Sequence, residues 1–219
     1  MAVNSRSIRA LGVRELGRAA GLNPNTFYRH FATMDDLGLA ILQSIVDELR
    51  PMMREIRERS AKAALTSAEA VKFQNDMAGL ALVRLKIVIR EKVTAFFDYV
   101  ERNPEAFIVG ISELHGASPQ LRNGLAAVLK DFADDMAEDF RKLDLMPMVE
   151  RDTIDDISQL MINQMFFLSA DFIEYPARKK QIRRQAFLGM KALAVGAVAI
   201  GKLDGATLGD NIHILRTDE

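Results

Sequence analysis

Along almost the whole chain apolar residues return every three to four positions, the spacing of one face of an α-helix. The β-branched alternation that marks strands is absent. The breaks in the helical pattern carry residues that start or stop helices. Asn23-Pro24, Asn103-Pro104 and Ser118-Pro119 each place a capping residue before a proline, which loses no needed donor at a first helical position. Met146-Pro147 closes the helix begun at Pro119, and Tyr175-Pro176 separates the last two long helices. The pattern predicts helices over residues 13–20, 24–31, 34–60, 68–102, 104–115, 119–144, 152–174 and 177–202, with a loosely attached tail at 205–219. No internal repeat interrupts this all-α reading.

Residues 13–31 are the most specific part of the pattern. Val13, Leu16, Ala19 and Ala20 form one apolar face, and Gly21 supplies the left-handed geometry that ends a helix within one residue. Asn23-Pro24 then opens a second short helix. Two short helices across a tight glycine turn make a helix-turn-helix, whose second helix lies in the DNA major groove; an ordinary amphipathic helix pair is the alternative.

The string Asn23-Pro24-Asn25-Thr26-Phe27-Tyr28-Arg29-His30-Phe31 resembles the recognition helix of the TetR family of bacterial transcriptional regulators. Thr33-Met34-Asp35-Asp36-Leu37 is similar to the start of that family's connecting helix, with Thr33 and Asp36 as an approximate capping box. Met34 stands where many relatives carry a lysine. The resemblance implies an N-terminal helix-turn-helix domain over residues 1–48 and a helical ligand-binding and dimerisation domain over 49–204. TetR-type domains usually carry a full helix ahead of the motif, and only Met1 to Leu11 precede Gly12. Either that helix is truncated, or the true start codon lies upstream.

Side-chain type assigns the roles. Phe27 and Phe31, four apart, share a face that buries against the first helix. Asn25, Thr26 and Arg29 fall on the opposite face as readers of base edges and phosphates, with Tyr28 and His30 suited to phosphate oxygens. Asn23, Arg14 and Thr33 complete the expected DNA-binding set. Charge agrees: residues 1–31 hold five arginines against one glutamate, a balance of +4 in a chain of net charge −1. A basic head on an acidic body suits a protein that meets phosphate with one end only.

Composition bounds the remainder. Hydrophobic residues make up 49% of 219, enough for a sizeable core, and no cysteine is present to form a disulfide or bind zinc. The longest apolar stretch, Ala192 to Gly201, is too short to span a membrane, which leaves an all-α protein expected in the cytoplasm. No nucleophile has a partner at recognisable spacing and no glycine-rich loop follows a strand, so neither an enzymatic activity nor a cofactor is expected. Asp134, Asp135, Glu138 and Asp139, and likewise Asp152, Asp155 and Asp156, read as solvated helical faces rather than metal sites. His115 reads as a capping or core histidine, and Arg178, Lys179, Lys180, Arg183 and Arg184 crowd the start of the last helix.

A narrower resemblance covers the body. Val88-Ile89-Arg90, Phe96-Phe97-Asp98-Tyr99-Val100, Asn103-Pro104-Glu105-Ala106-Phe107, Glu113 and Phe132-Ala133-Asp134-Asp135-Met136 are similar to the regulators of unsaturated fatty acid synthesis within the TetR family. Asp36-Leu37-Gly38-Leu39 fits the same subgroup. This implies a repressor that binds double-stranded operator DNA and senses long-chain acyl-CoA or a related fatty acyl ligand. A TetR-type repressor answering to another hydrophobic compound is the alternative. Twelve phenylalanines and eleven methionines suit an adaptable apolar pocket. Phe96, Phe97, Phe107, Ile111, Leu129, Phe132, Met136, Met165 and Phe166 are its expected lining, though such residues equally build an ordinary core. Residues 186–201, apolar nearly all round, point to a homodimer built on the last two helices, with Gly189, Ala192, Gly196 and Ala199 permitting close approach.

Overall fold

A computed structural model describes residues 12–65, 77–147 and 149–202. The expected first residues, the proposed helix start at 68 and the tail lie outside them. Among the described residues there are eight α-helices and no strand: α1 Val13–Ala19, α2 Pro24–Tyr28, α3 Met34–Leu65, α4 Met77–Arg102, α5 Pro104–Glu113, α6 Pro119–Lys142, α7 Arg151–Glu174 and α8 Lys179–Lys202. A single 3-10 turn, Pro176–Arg178, joins α7 to α8. The architecture is all-α, and no described helix is long and apolar enough to cross a membrane.

Local chemistry sets the helix ends. The Ser118 hydroxyl accepts the Leu121 amide at 3.2 Å, capping α6 as expected. Asn103 does not cap α5: its side-chain amide instead donates to the Tyr99 carbonyl at 3.1 Å and so serves the preceding helix. Helix α6 stops at Lys142 rather than at 144, because Asp144 enters the left-handed region at φ 47°. The Leu145 amide then bonds the Phe140 carbonyl and the Asp144 amide the Arg141 carbonyl, a Schellman closure without glycine.

Helix α3 is the structural axis. It begins in a reciprocal box, where the Thr33 amide donates to Asp36 at 2.8 Å and the Asp36 amide donates to the Thr33 hydroxyl at 3.2 Å. It then runs 32 residues, about 48 Å at helical rise, from the N-terminal head into the body. The expected domain division at 48/49 therefore falls inside one continuous helix. Pro51, within it, supplies no amide to the Asp47 carbonyl. In the body α3 lies along α4, α5 and α6, while α7 packs on α6 and α4, and α8 on α7 and α4. Leu85, Val88, Ile89, Phe97 and Val100 of α4 are fully buried at the centre with Met161, Phe172, Ile182 and Met190. A second tie joins head to body: the Ser118 hydroxyl donates to Asp35 at 2.7 Å, both side chains buried. Where α6 packs on α3, Leu39 occupies the space a side chain at Gly124 would need.

Candidate functional site

Gly21 sits at φ +66°, as the turn requires, and the Leu22 amide bonds the Gly17 carbonyl at 2.8 Å to close α1. The Asn23 side-chain oxygen accepts the Asn25 amide at 2.9 Å and starts α2. Helix α2 ends at Tyr28 rather than 31. The amides of Arg29 and His30 bond carbonyls only three residues back, which tightens the last turn. Phe27 is buried and Phe31 half-buried, with ring centroids 5.6 Å apart, so the pair anchors the motif from beneath.

The opposite surface is polar and open. Arg14, Asn23, Asn25, Arg29 and His30 are exposed, and Tyr28 is 61% exposed, a large aromatic left standing in water with its hydroxyl free to donate. Thr26 is half-buried. Thr33 is exposed, yet its hydroxyl donates to Asp36 at 2.9 Å, so the capping box has already engaged the group that a phosphate would need.

The body holds a cavity of about 90 Å³ between α3 and helices α4 to α8. Phe96, Phe107, Leu129, Phe132, Met136, Met165 and Phe166 of the expected lining do face it. Phe97 does not. Its ring is fully buried on the far side of α4, 4.8 Å from the Phe172 ring, because neighbouring helical residues point about 100° apart. Ile111 does not line it either and packs half-buried against the core. Sequence reasoning missed the α3 wall, Leu42, Ile45, Leu49 and Met53, although their three- and four-residue steps are legible as one face.

Charged residues complete the wall: Arg50, Arg54 and Arg57 from α3, Lys92 from α4, and Asp135 and Asp139 from α6. Arg50 Nε donates to Asp135 and Arg57 Nη1 to Asp139, each at 2.5 Å, and Lys92 Nζ also binds Asp139. These hydrogen bonds hold both guanidiniums above their ordinary pKa. The expected solvated acidic face is thus divided. Asp135 and Asp139 turn inward, whereas Asp134 and Glu138 stay exposed beside Lys130 and Lys142. His115 is exposed in the turn after α5 and is not a core residue.

The basic cluster at the start of α8 is partly structural. Lys179 bonds Glu101 at 2.9 Å, and Arg183 pairs with Asp98 at 2.7 Å while lying over the Phe172 ring. Both residues fasten α8 to α4. Gly189 receives Gln164 of the same chain, so it is not available to a partner, while nothing lies near Gly196.

A Phe pair beneath an exposed polar helix, reached through a left-handed glycine, is the geometry of a helix-turn-helix, the motif whose second helix enters the DNA major groove. Residues 3–41 match the sequence profile of the bacterial regulatory proteins of the tetR family. The match covers the helix-turn-helix and the start of α3, and with the all-α architecture it supports a TetR-type DNA-binding head at the N-terminus of this chain.

Proposed function

We propose that this regulator is a homodimeric repressor whose operator affinity is set by a fatty acyl ligand, long-chain acyl-CoA or a relative of it, held in the body cavity. The observation that carries the reading is the sharing of α3: the helix that begins at the reader's edge also supplies Leu42, Ile45, Leu49 and Met53 to the cavity wall. A ligand that moves this wall moves the reader. Phe96, Phe107, Phe132, Met165 and Phe166 give the opposite walls the soft, aromatic surface an acyl chain fills without needing hydrogen bonds. Operator contact runs through Asn25, Tyr28, Arg29 and His30, with Arg14 on the flanking phosphates. Such a role places the protein with the chromosome in the cytoplasm.

The dimer reading rests on apolar surface left in water. Leu160 and Phe167 of α7 lie seven residues apart on one face, as do Leu188 and Val195 of α8, and all four are exposed, Phe167 at 57%. A two-fold partner covers such a patch and presents two readers to a palindromic site. Sedimentation of the full chain at micromolar concentration tests it, a dimer being expected. A mobility-shift titration with operator DNA, with and without long-chain acyl-CoA, tests the ligand. A shift unaffected by acyl-CoA but relieved by another apolar compound would leave the alternative ligand class in its place.

A further inference from the structure

The apolar part of the cavity says little about the polar end of its occupant, but the charged side chains of the wall do. Four cations line the cavity against two carboxylates, an excess of two positive charges on the wall itself; the exposed carboxylates of Asp131 and Glu58, outside the lining, lie 3.8 Å from Arg50 and 3.9 Å from Arg57. Arg50, Arg54 and Arg57 follow one another at four- and three-residue steps, so they form a single row along α3 facing α6. Asp135 occupies Arg50, and Asp139 is shared between Arg57 and Lys92. Lys92 is 8% exposed and Asp139 4% exposed. An ammonium at that depth needs an anion, and one carboxylate serves two cations there. Arg54, the most exposed of the row, makes no ion pair among the described residues.

The excess is worth more here than on an open surface, because Leu49, Met53 and Phe132 beside it keep the local dielectric low. A neutral apolar ligand leaves the row as it stands, and a cationic one opposes it. An anionic head completes it, while the attached tail runs along α3 from Arg57 toward Leu42, a span of about 22 Å at helical rise.

Building on the reading of the cavity as a ligand site, we infer that its ligand is an amphiphile with an anionic head group, held by Arg54, Arg57 and Lys92, with Asp139 as the built-in anion whose two cations the head shares. A fatty acid carboxylate and the phosphates of an acyl thioester offer the same chemistry. Because the Arg57–Asp139 pair also ties α3 to α6, a head group that draws Arg57 away loosens the reader-bearing helix from the body.

Calorimetric titration of the full chain with tetradecanoate, tetradecanoyl-CoA, tetradecan-1-ol and tetradecyltrimethylammonium tests this. One or both anionic probes should bind about tenfold or more tighter than the alcohol, with the cation weakest. Arg54→Gln, at an exposed position that does not hold the fold, should cut the preference for the anion by about threefold and leave the alcohol unchanged. Arg57→Gln should cut it further. Tight binding of the thioester alone assigns the head to phosphate, and equal binding of the free acid assigns it to carboxylate. Alcohol binding as tight as the acid and the thioester overturns the head-group inference and leaves an apolar ligand site standing. Binding of none of the four overturns the cavity reading and this inference with it.

Discussion

The reader lies between Arg14 and Thr33 in one stretch of chain, whereas the cavity draws its wall from six helices between Leu42 and Met190. In the reader each contact that sets the geometry is local: Gly21 turns the chain, Asn23 caps α2 and Phe27 meets Phe31 four residues on. In the cavity the facing residues come from different helices, and each apolar wall residue is also part of the packed body. Recognition and stability should therefore separate cleanly in the first region and stay entangled in the second.

The largest effect should come from the reader. Tyr28→Ala combined with Arg29→Ala should lower operator affinity about 100-fold or more, each lost contact costing about 1–3 kcal/mol in both halves of the proposed dimer. The thermal midpoint should scarcely move, because both side chains stand in water. Mobility shift and circular dichroism on the same protein check this. A large loss of helicity would mean that the reader is not as self-contained as its local hydrogen bonds imply.

In the body the matching experiment contrasts two adjacent rings. Phe97→Ala should destabilise by about 3–5 kcal/mol, since the ring is fully enclosed beside Phe172. Phe96→Ala should cost less than about 2 kcal/mol, because part of its ring already faces open space and loses fewer contacts. Urea midpoints rank them, and the reverse order would place Phe97 on the cavity instead.

That pair shows why the head was more legible than the body. The caps at Asn23, Ser118 and Thr33 and the turn at Gly21 could be read from single residues, because each acts on amides within three or four positions. Asp144 could not, since an aspartate tolerates the left-handed region without advertising it as glycine does. Phe96 and Phe97 are the same residue type side by side, and only the helices packed around α4 decide which of them meets the cavity. The acidic run on α6 looked solvated because its cationic partners Arg50, Arg57 and Lys92 lie 47 to 85 positions away in sequence. Helix α3 was legible as a helix but not as a wall shared by both regions.

The comparison becomes sharpest where the two regions couple. Saturated and cis-unsaturated long-chain acyl-CoA should enter the same cavity and shift operator affinity in opposite directions, because a bent chain demands a different separation of α3 from α5 and α6. In the proposed dimer the two readers sit about 34–36 Å apart, so a small tilt of α3 alters their fit. The coupling should amount to about 1–3 kcal/mol, or roughly 5- to 150-fold. Titrating both against a fixed protein–DNA complex checks it, and identical effects from the two would show that the cavity does not read chain shape.

The smallest effect concerns Tyr99, which joins α4 to α3 behind the cavity by donating its hydroxyl to Glu48 at 3.2 Å. Burial, reinforced by the Glu48 carboxylate, pushes its pKa from the ordinary 10.0 up to about 12. The folded state thus holds this proton more tightly than the unfolded chain does. Its contribution to stability is complete below about pH 10 and fades as pH rises toward about 12, where the unfolded chain's phenol has ionised and the folded one begins to. Because the hydroxyl is only partly buried, the contribution should be about 1 kcal/mol. Tyr99→Phe has no such proton, so the gap between its urea midpoint and that of the parent should change between pH 10 and pH 12, with the parent losing ground. Lysines that titrate in the same window do so in both proteins and cancel in the difference. Parallel curves would mean that the Tyr99–Glu48 bond does not hold α4 to α3 in solution.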